Sequence, residues 1–366
     1  MQHFSTASRT RRSALSALLL VSLVATMFVI QGTGSARADG TVYYVSTNGS
    51  DSNPGTIDHP WRTIAHSLVS LRAGDILNIR GGTYVERIMS PSLARGTDLA
   101  RIRVQNYPNE RPVLQGLLWI SGAYDWTFSG LNVTWDPARN NRYEHMVKFT
   151  NGVGWVFKNA EVWGARSYAA ILVASTVNGE PSNWALIRNC VHDTYKANDT
   201  NQDHLIYVNS GLSGTGGAVR RNILFNATNG EGIKMAGPSA GSGGTANVEV
   251  RYNTIYNAAQ SMLIGWGSQN NLIHDNLMVR TASYYGNIRG YQLAGHGNEA
   301  FGNLGSQSKE MILNDPGYTG VAGANNTFGT DPQFDSTSTC AGFHPATLSV
   351  QTYGKYAPAG ASNGTS

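Results

Sequence analysis

The sequence predicts an all-β solenoid, a stack of coils that each contain three short strands, and three observations carry that prediction. Past residue 120, apolar residues alternate with a period of two and not with helical spacing. The segments DWTFSGLNVTW, GWVFKNAEVWG, WALIRNCVHD, GAVRRNILFN, VEVRYNTIYN, NLIHDNLMVR and NEAFGNLGS share one pattern, centred on Gly130, Asn159, Asn189, Asn222, Asn253, Asn276 and Asn303, at steps of 29, 30, 33, 31, 23 and 27. The 366 residues are 41% hydrophobic and 14% charged, with 42 Gly and 12 Pro, so the chain can bury a long core and is too weakly charged for a disordered chain or a coiled coil. Asn suits a recurrent corner because its amide can bond to the Asn of the coil above and below, and because it tolerates the bend. A sandwich or propeller would need hairpin turns, and few Asn-Gly or Asp-Gly pairs stand at hairpin spacing.

Taken in order, residues 1–38 read as a secretory signal peptide: a basic start at 9–12, an apolar run from Ala14 to Ile30, and Ala36-Arg37-Ala38 before the expected cleavage. Four of the 27 basic residues (Arg9, Arg11, Arg12, Arg37) lie there with no acid, so the mature chain from Asp39 carries 23 basic and 23 acidic residues. The formal charge of +4 is therefore no argument for a nucleic-acid partner. The expectation is an exported monomer, free of the membrane after cleavage, with 39–366 as one solenoid domain and a tail from about 320 closing its C-terminal end. Pro60 to Leu71 has helical apolar spacing and predicts a short helix capping the open first coil. AGDILNIRGGTYVE then reads as strand, Gly-Gly turn, strand. Cys190 and Cys340 could pair in an oxidising compartment, but sequence does not say whether they meet.

VYYVSTNGSDSNPGT, PWRTIAHSL and AGDILNIRGGTYVE together resemble the opening of secreted right-handed parallel β-helix proteins of the pectate-lyase-like superfamily. The closing DPQF…GFHPATLSV resembles the tail that seals such helices. The resemblance implies a single-stranded right-handed parallel β-helix over almost the whole mature chain. Its activities include polysaccharide lyases, hydrolases and epimerases, alongside non-enzymatic adhesins, so the fold alone does not choose among them.

One strand of each coil aligns by alternation: EHMVKF (144–149), YAAILV (168–173), DHLIYV (203–208) and GEGIKM (230–235). Val147, Ile171, Ile206 and Ile233 then point inward, and Lys148, Leu172, Tyr207 and Lys234 point outward, preceded on the same side by Met146, Ala170, Leu205 and Gly232. The outward stripe holds two of the six lysines, with Tyr207 one coil from Lys234, although a solvated strand could carry the same residues. At the strand heads stand His145, Asp203, His204 and Glu231. Parity would turn His204 and Glu231 inward, which is costly for ionisable groups, so the corner is the expected place. The loop CVHDTYKANDTNQDH adds His192, Asp193, Lys196 and Asp199, residues that could equally cap turns. Calcium could be held by its oxygens, yet no spacing matches a known loop, and the cofactor stays unknown. Arg166 offers a bidentate partner for a sugar carboxylate or is an ordinary surface arginine; Trp163, Trp184 and Trp266 offer flat faces or are core and turn residues.

Three functions follow. A lyase acting by β-elimination on a uronic-acid polysaccharide needs a cation for the carboxylate (Lys234 or Arg166), a base (His204 or Lys148) and an acid (Tyr207). An inverting hydrolase needs two carboxylates, which Asp203 or Asp199 with Glu231 could supply. A carbohydrate-binding surface needs neither. A cationic stripe in the groove favours the first, a carboxylate pair the second, aromatic platforms alone the third. The Asp-His, Tyr and Lys set is similar to that of alginate epimerases and lyases on this fold, but Asp203 and His204 are adjacent here, with no residue between them, so no role is carried over.

Overall fold

The computed structural model describes residues 40–195, 202–238, 243–282 and 284–345. The segment read as a signal peptide, Lys196, Asp199 and the end of the tail lie outside them. Among the described residues, no helix is long and apolar enough to cross a membrane.

Every named strand pairs in parallel with its equivalent on the neighbouring coil, and three ladders result. The first is an 11-stranded sheet running from Val42–Val45 to Ala322–Ala324. The second contains Asn132–Thr134, Glu161–Trp163 and Cys190–His192, and the third contains Val147–Thr150, Ala169–Ala174 and His204–Asn209. The long strands Gly82–Met89, Pro112–Ser121, Ile223–Met235 and Thr254–Gly265 pass through the corner from the second ladder into the third, which joins the two into one 15-stranded sheet. Inward residues of all three ladders meet in one continuous core, where Phe149 stacks on Trp155 (4.5 Å between centroids) and Trp155 on Trp184 (5.6 Å). Trp184 is thus a core residue.

The single α-helix among the described residues, Ile64–Ser70, covers the first coil with Ile64 and Leu68 fully buried. Its start is held by the Thr63 hydroxyl, which accepts from His66 N, and by the Glu86 carboxylate, which accepts from Ile64 N (2.8 Å) and Ala65 N (2.9 Å). The strands of AGDILNIRGGTYVE, Ile76–Ile79 and Gly82–Met89, belong to different ladders and do not pair with each other.

The corner between the first and second ladders carries an asparagine ladder. Asn189, Asn222, Asn253, Asn276 and Asn303 each donate from Nδ2 to the Oδ1 of the next, ending on Asn326, over separations of 33, 31, 23, 27 and 23 residues. Asn159 does not belong to it, against the expected register. Ala160 holds the equivalent place and donates its N–H to Asn189 Oδ1, while Asn159 stands one residue earlier with φ of 53°. That earlier column, with Gly130, Arg188 and Arg221, is left-handed throughout (φ of 70°, 54° and 61°), a conformation Asn also tolerates.

Cys190 and Cys340 form a disulfide. Residues Ala322–Ala324 and Thr327–Phe328 still add strands to two ladders. Phe334 and Phe343 then lie along the flank of the second ladder, against Phe225 and Tyr256.

A candidate active site on the third ladder

The register of the third ladder sets Trp119, Lys148, Leu172, Tyr207, Lys234, Leu263 and Arg289 in one outward column. Tyr207 and Lys234 are direct partners one coil apart, and Lys148 is two coils from Tyr207. The residues two places earlier do not share the outward face: Met146, Ala170 and Leu205 are fully buried in the core. They lie at the corner where two ladders meet, and there consecutive side chains both face the interior, so strict alternation fails.

The same corner brings His204 and Glu231 together. Both are closed to solvent, at 1% and 0% exposure, and His204 Nδ1 is in close contact with Glu231 Oε2. Gln260 Nε2 donates to the other carboxylate oxygen at 3.0 Å. Nδ1 also accepts from the Glu231 N–H at 3.2 Å, so this edge of the ring is turned to Glu231 and Nε2 faces outward. Lys234 Nζ lies 3.4 Å from that Nε2. Lys234 is only partly buried, and its ammonium lies 5.1 Å from the centroid of the Tyr207 ring. Tyr207 donates its hydroxyl to the Gly237 carbonyl at 2.6 Å.

Burial sets the protonation states. It pushes the Lys234 amine down from the usual lysine range, with the negative charge of Glu231 opposing. It also lowers His204, again against Glu231, so that the ring is neutral near pH 7. Burial and then Glu231 push the Tyr207 phenol up, keeping it protonated. His145, beside the Tyr207 ring at 6.1 Å and still in some solvent contact, falls to about 3, through burial first and then the charges of Lys148 and His204. Lys148 is also lowered by burial and stands 4.0 Å over the Trp119 ring.

Asp203 begins the strand in a left-handed turn, φ 72°, fully buried, its carbonyl accepting from Thr194 Oγ1 at 2.5 Å. Its carboxylate packs so closely on Gly230 that a Cβ there would stand 2.6 Å from Oδ1. Arg166 is exposed, with its guanidinium 5.5 Å from the Tyr195 ring centroid. His192 and Asp193 of the long loop pair with each other on the second ladder, where Glu161 takes the other histidine nitrogen. Among the described residues, the one convergence of three possible metal ligands is Cys190, His192 and Cys340, and both sulfurs are spent in the disulfide. Trp163 faces outward under the Arg111 guanidinium, and Trp266 lies at a turn with φ of 57°. Gln260 and Arg289 were not legible as site residues: Gln260 opens QSMLIGW, whose apolar residues fit either parity, and Arg289 lies on the next strand, paired with Leu263 of that segment.

Comparison with known proteins agrees with this architecture. Residues 43–213 match the family model described as Pel9A-like, right-handed β-helix region. The chain is 34% identical over 130 residues to the uncharacterized protein YwoF of Bacillus subtilis (strain 168), covering 32% of this chain and 27% of YwoF. It is 28% identical over 135 residues to pectate lyase PEL9 of Emericella nidulans, covering 30% of this chain and 33% of that enzyme. The chain thus aligns with about a quarter to a third of the length of these curated relatives. A solved glycoside hydrolase superposes with a TM-score of 0.52 at 9% identity, over 79% of this chain and 96% of its own, a likeness of fold alone. The chain is a right-handed parallel β-helix protein similar to the pectate-lyase-like superfamily, with the match to the Pel9A-like model confined to residues 43–213.

Proposed function

We propose that the protein is a secreted polysaccharide lyase that cleaves a uronic-acid-containing chain by β-elimination, with Lys234 as the base. The carrying observation is the contact of Lys234 Nζ with His204 Nε2 on an outward, solvent-reachable column. A desolvated lysine held against a neutral histidine is poised to lose its proton and accept another. His204 itself, at 1% exposure, sits behind Lys234 and acts on it as a positioning residue, a different role from the base expected of it.

In the proposed reaction, the neutral Lys234 amine takes the proton from the sugar carbon next to the carboxylate. The electron pair forms the carbon–carbon double bond, the bond to the leaving oxygen breaks, and that oxygen receives the Tyr207 hydroxyl proton. Proton exchange with solvent then restores lysine and tyrosine. Lys148, on the same column, supplies positive charge for a substrate carboxylate, and Arg289, on the other side of the pair, is already matched by Asp315 at 3.1 Å. This cationic stripe favours elimination, whereas Asp203 and Glu231 are both at 0% exposure and cannot present a carboxylate pair to a glycosidic bond and a water. The similarity to pectate lyase PEL9 supports the same substrate class.

The test is incubation of the mature protein with acidic and neutral polysaccharides beside Lys234→Met. Unsaturated ends from an acidic polymer, lost in the variant, are expected. Reducing ends without unsaturation would mean hydrolysis, and no cleavage of any polymer would mean a binding protein. Export is tested separately: N-terminal sequencing of secreted protein is expected to begin at Asp39.

A further inference from the structure

The outer face of the first ladder carries a second concentration of charge. Its register sets Lys158, Ile187, Arg220 and Arg251 in one outward column, with Val156, Ala185 and Ala218 in the column beside it. Arg188 stands at the adjoining corner, fully in solvent reach, and its N–H bonds to the Arg220 carbonyl at 3.2 Å. Over the small side chains of Val156, Ala185 and Ala218 lies an open trough of about 550 Å³, bordered by Arg101 and Arg220 and also by the carboxylates of Asp98 and Asp125, with Lys158 and Arg188 outside its lining. Two of the cations are neutralised: Arg101 pairs with Asp125, and Arg251 with Glu249. Arg103, two coils before Val156 in the small-residue column, Lys158, Arg188 and Arg220 make no ion pair with a carboxylate among the described residues.

Four unmatched cations on one face are notable in a chain whose residues from Asp39 onward are formally neutral. Self-repulsion adds to the cost of this arrangement: burial first, then Arg188, Arg103 and Arg101, lower Lys158, and burial, then Arg251, Arg221 and Arg188, lower Arg220 against the opposing charge of Glu249. Packing does not require it, since Ser129 and Ile187 occupy the same column without charge. An anionic ligand relieves the repulsion.

We propose that this face is a second binding surface for an acidic polysaccharide, separate from the column that bears Lys234. Coils rise by about 4.8 Å, so Lys158 and Arg220 stand two steps apart along the helix axis, with the Glu249-paired Arg251 one step beyond Arg220. A polymer carrying a carboxylate on successive sugars fits that spacing, and the small-residue floor leaves room for its rings. The choice of a uronate polymer as occupant rests on the function proposed above; the charge and shape of the face do not.

The experiment uses a triple variant, Lys158→Ser, Arg188→Asn and Arg220→Ser, in the full mature protein. Asn is chosen at 188 because the backbone there has φ of 54° and the equivalent coil already carries Asn159. Retention in an affinity gel containing polygalacturonate is measured at low and high salt, with a neutral glucan gel and a DNA gel as controls. The expected result is retention weakened about tenfold or more at low salt, from three lost exposed charges, with cleavage of short oligosaccharides and the melting temperature unchanged. Lys234→Met is expected to be retained like the unaltered protein. Equal polygalacturonate retention by the triple variant and the unaltered protein overturns the second face and leaves the proposed active site standing. Retention lost in the triple variant while Lys234→Met still cleaves sustains the face and overturns the site. Retention of the unaltered protein by DNA as strong as by polygalacturonate also overturns the proposal, because the face would then be a general anion binder.

Discussion

Lys234 Nζ stands 3.4 Å from His204 Nε2, and the other nitrogen of the same ring is held by the Glu231 carboxylate. The order carboxylate, imidazole, amine runs from the sealed corner of the coil out to the face of the third ladder. Each member constrains the next: Glu231 fixes how the imidazole ring is turned, and its Nε2 fixes where the lysine amine stands. Only Lys234, with Tyr207 beside it, reaches the solvent.

Replacement of Lys234 by arginine keeps the charge and removes the proton chemistry, because a guanidinium does not deprotonate in proteins. Lys234→Arg is therefore expected to lose about 10²- to 10⁴-fold in kcat, as Lys234→Met does. In the unaltered protein the rate should rise with pH as the lowered Lys234 amine becomes neutral. A Lys234→Arg enzyme with near-normal turnover would exclude the amine as base.

Glu231→Gln preserves shape and removes charge. Glu231 raises Lys234, so without it the rising limb of the pH–rate profile should move to lower pH, with kcat down about 10- to 100-fold. A purely structural role would leave the profile in place. His204→Ala is a harsher change, since it strands a buried carboxylate, and about 3–5 kcal/mol of stability should go with it. Denaturant titration of both variants measures the difference.

Acid stability carries its own signature. His204 and His145 are lowered in the fold, so below the ordinary value of 6.5 the unfolded chain binds protons that the folded one refuses. Stability from these two should fall as pH drops through 6.5, and the His145 part should be complete near 3. His192, raised in the fold, opposes them with stability that is present below 6.5 and lost as pH rises through its folded value. His145→Gln is expected to flatten part of the acid fall in melting temperature; an unchanged slope would contradict the assignment.

Asn222 accepts from Asn189 and donates to Asn253 and to the Leu186 carbonyl, all buried. Asn222→Ala leaves those partners unsatisfied, with about 1–3 kcal/mol lost for each group left alone. Asn159→Gly, one residue outside the ladder at φ of 53°, should change stability by only a few tenths of a kcal/mol. Equal losses at the two positions would mean that the ladder is not what holds this corner.

The sequence made the outward column legible because alternation is unambiguous where one parity is polar. Val147, Ile171, Ile206 and Ile233 set the phase, and Lys148, Tyr207 and Lys234 follow from it. QSMLIGW offers no such contrast, so Leu263 and, beyond it, Arg289 were out of reach. Asn159 was misplaced for a related reason. Two neighbouring corner positions both favour Asn, one for its tolerance of left-handed backbone and one for its stacking amide, and composition does not separate them. The burial of His204 was hidden as well, since it depends on how the corner closes over the strand head.

The bridge between Cys190 and Cys340 closes a span of 150 residues within the stack. Tension applied between the two chain ends would enter at Cys340 and leave through Cys190, along the covalent bond. Every coil between them, including the one that bears Glu231 and Lys234, would be shielded from that load. While the bridge is intact, pulling could unwind only the coils before Cys190 and the segment after Cys340.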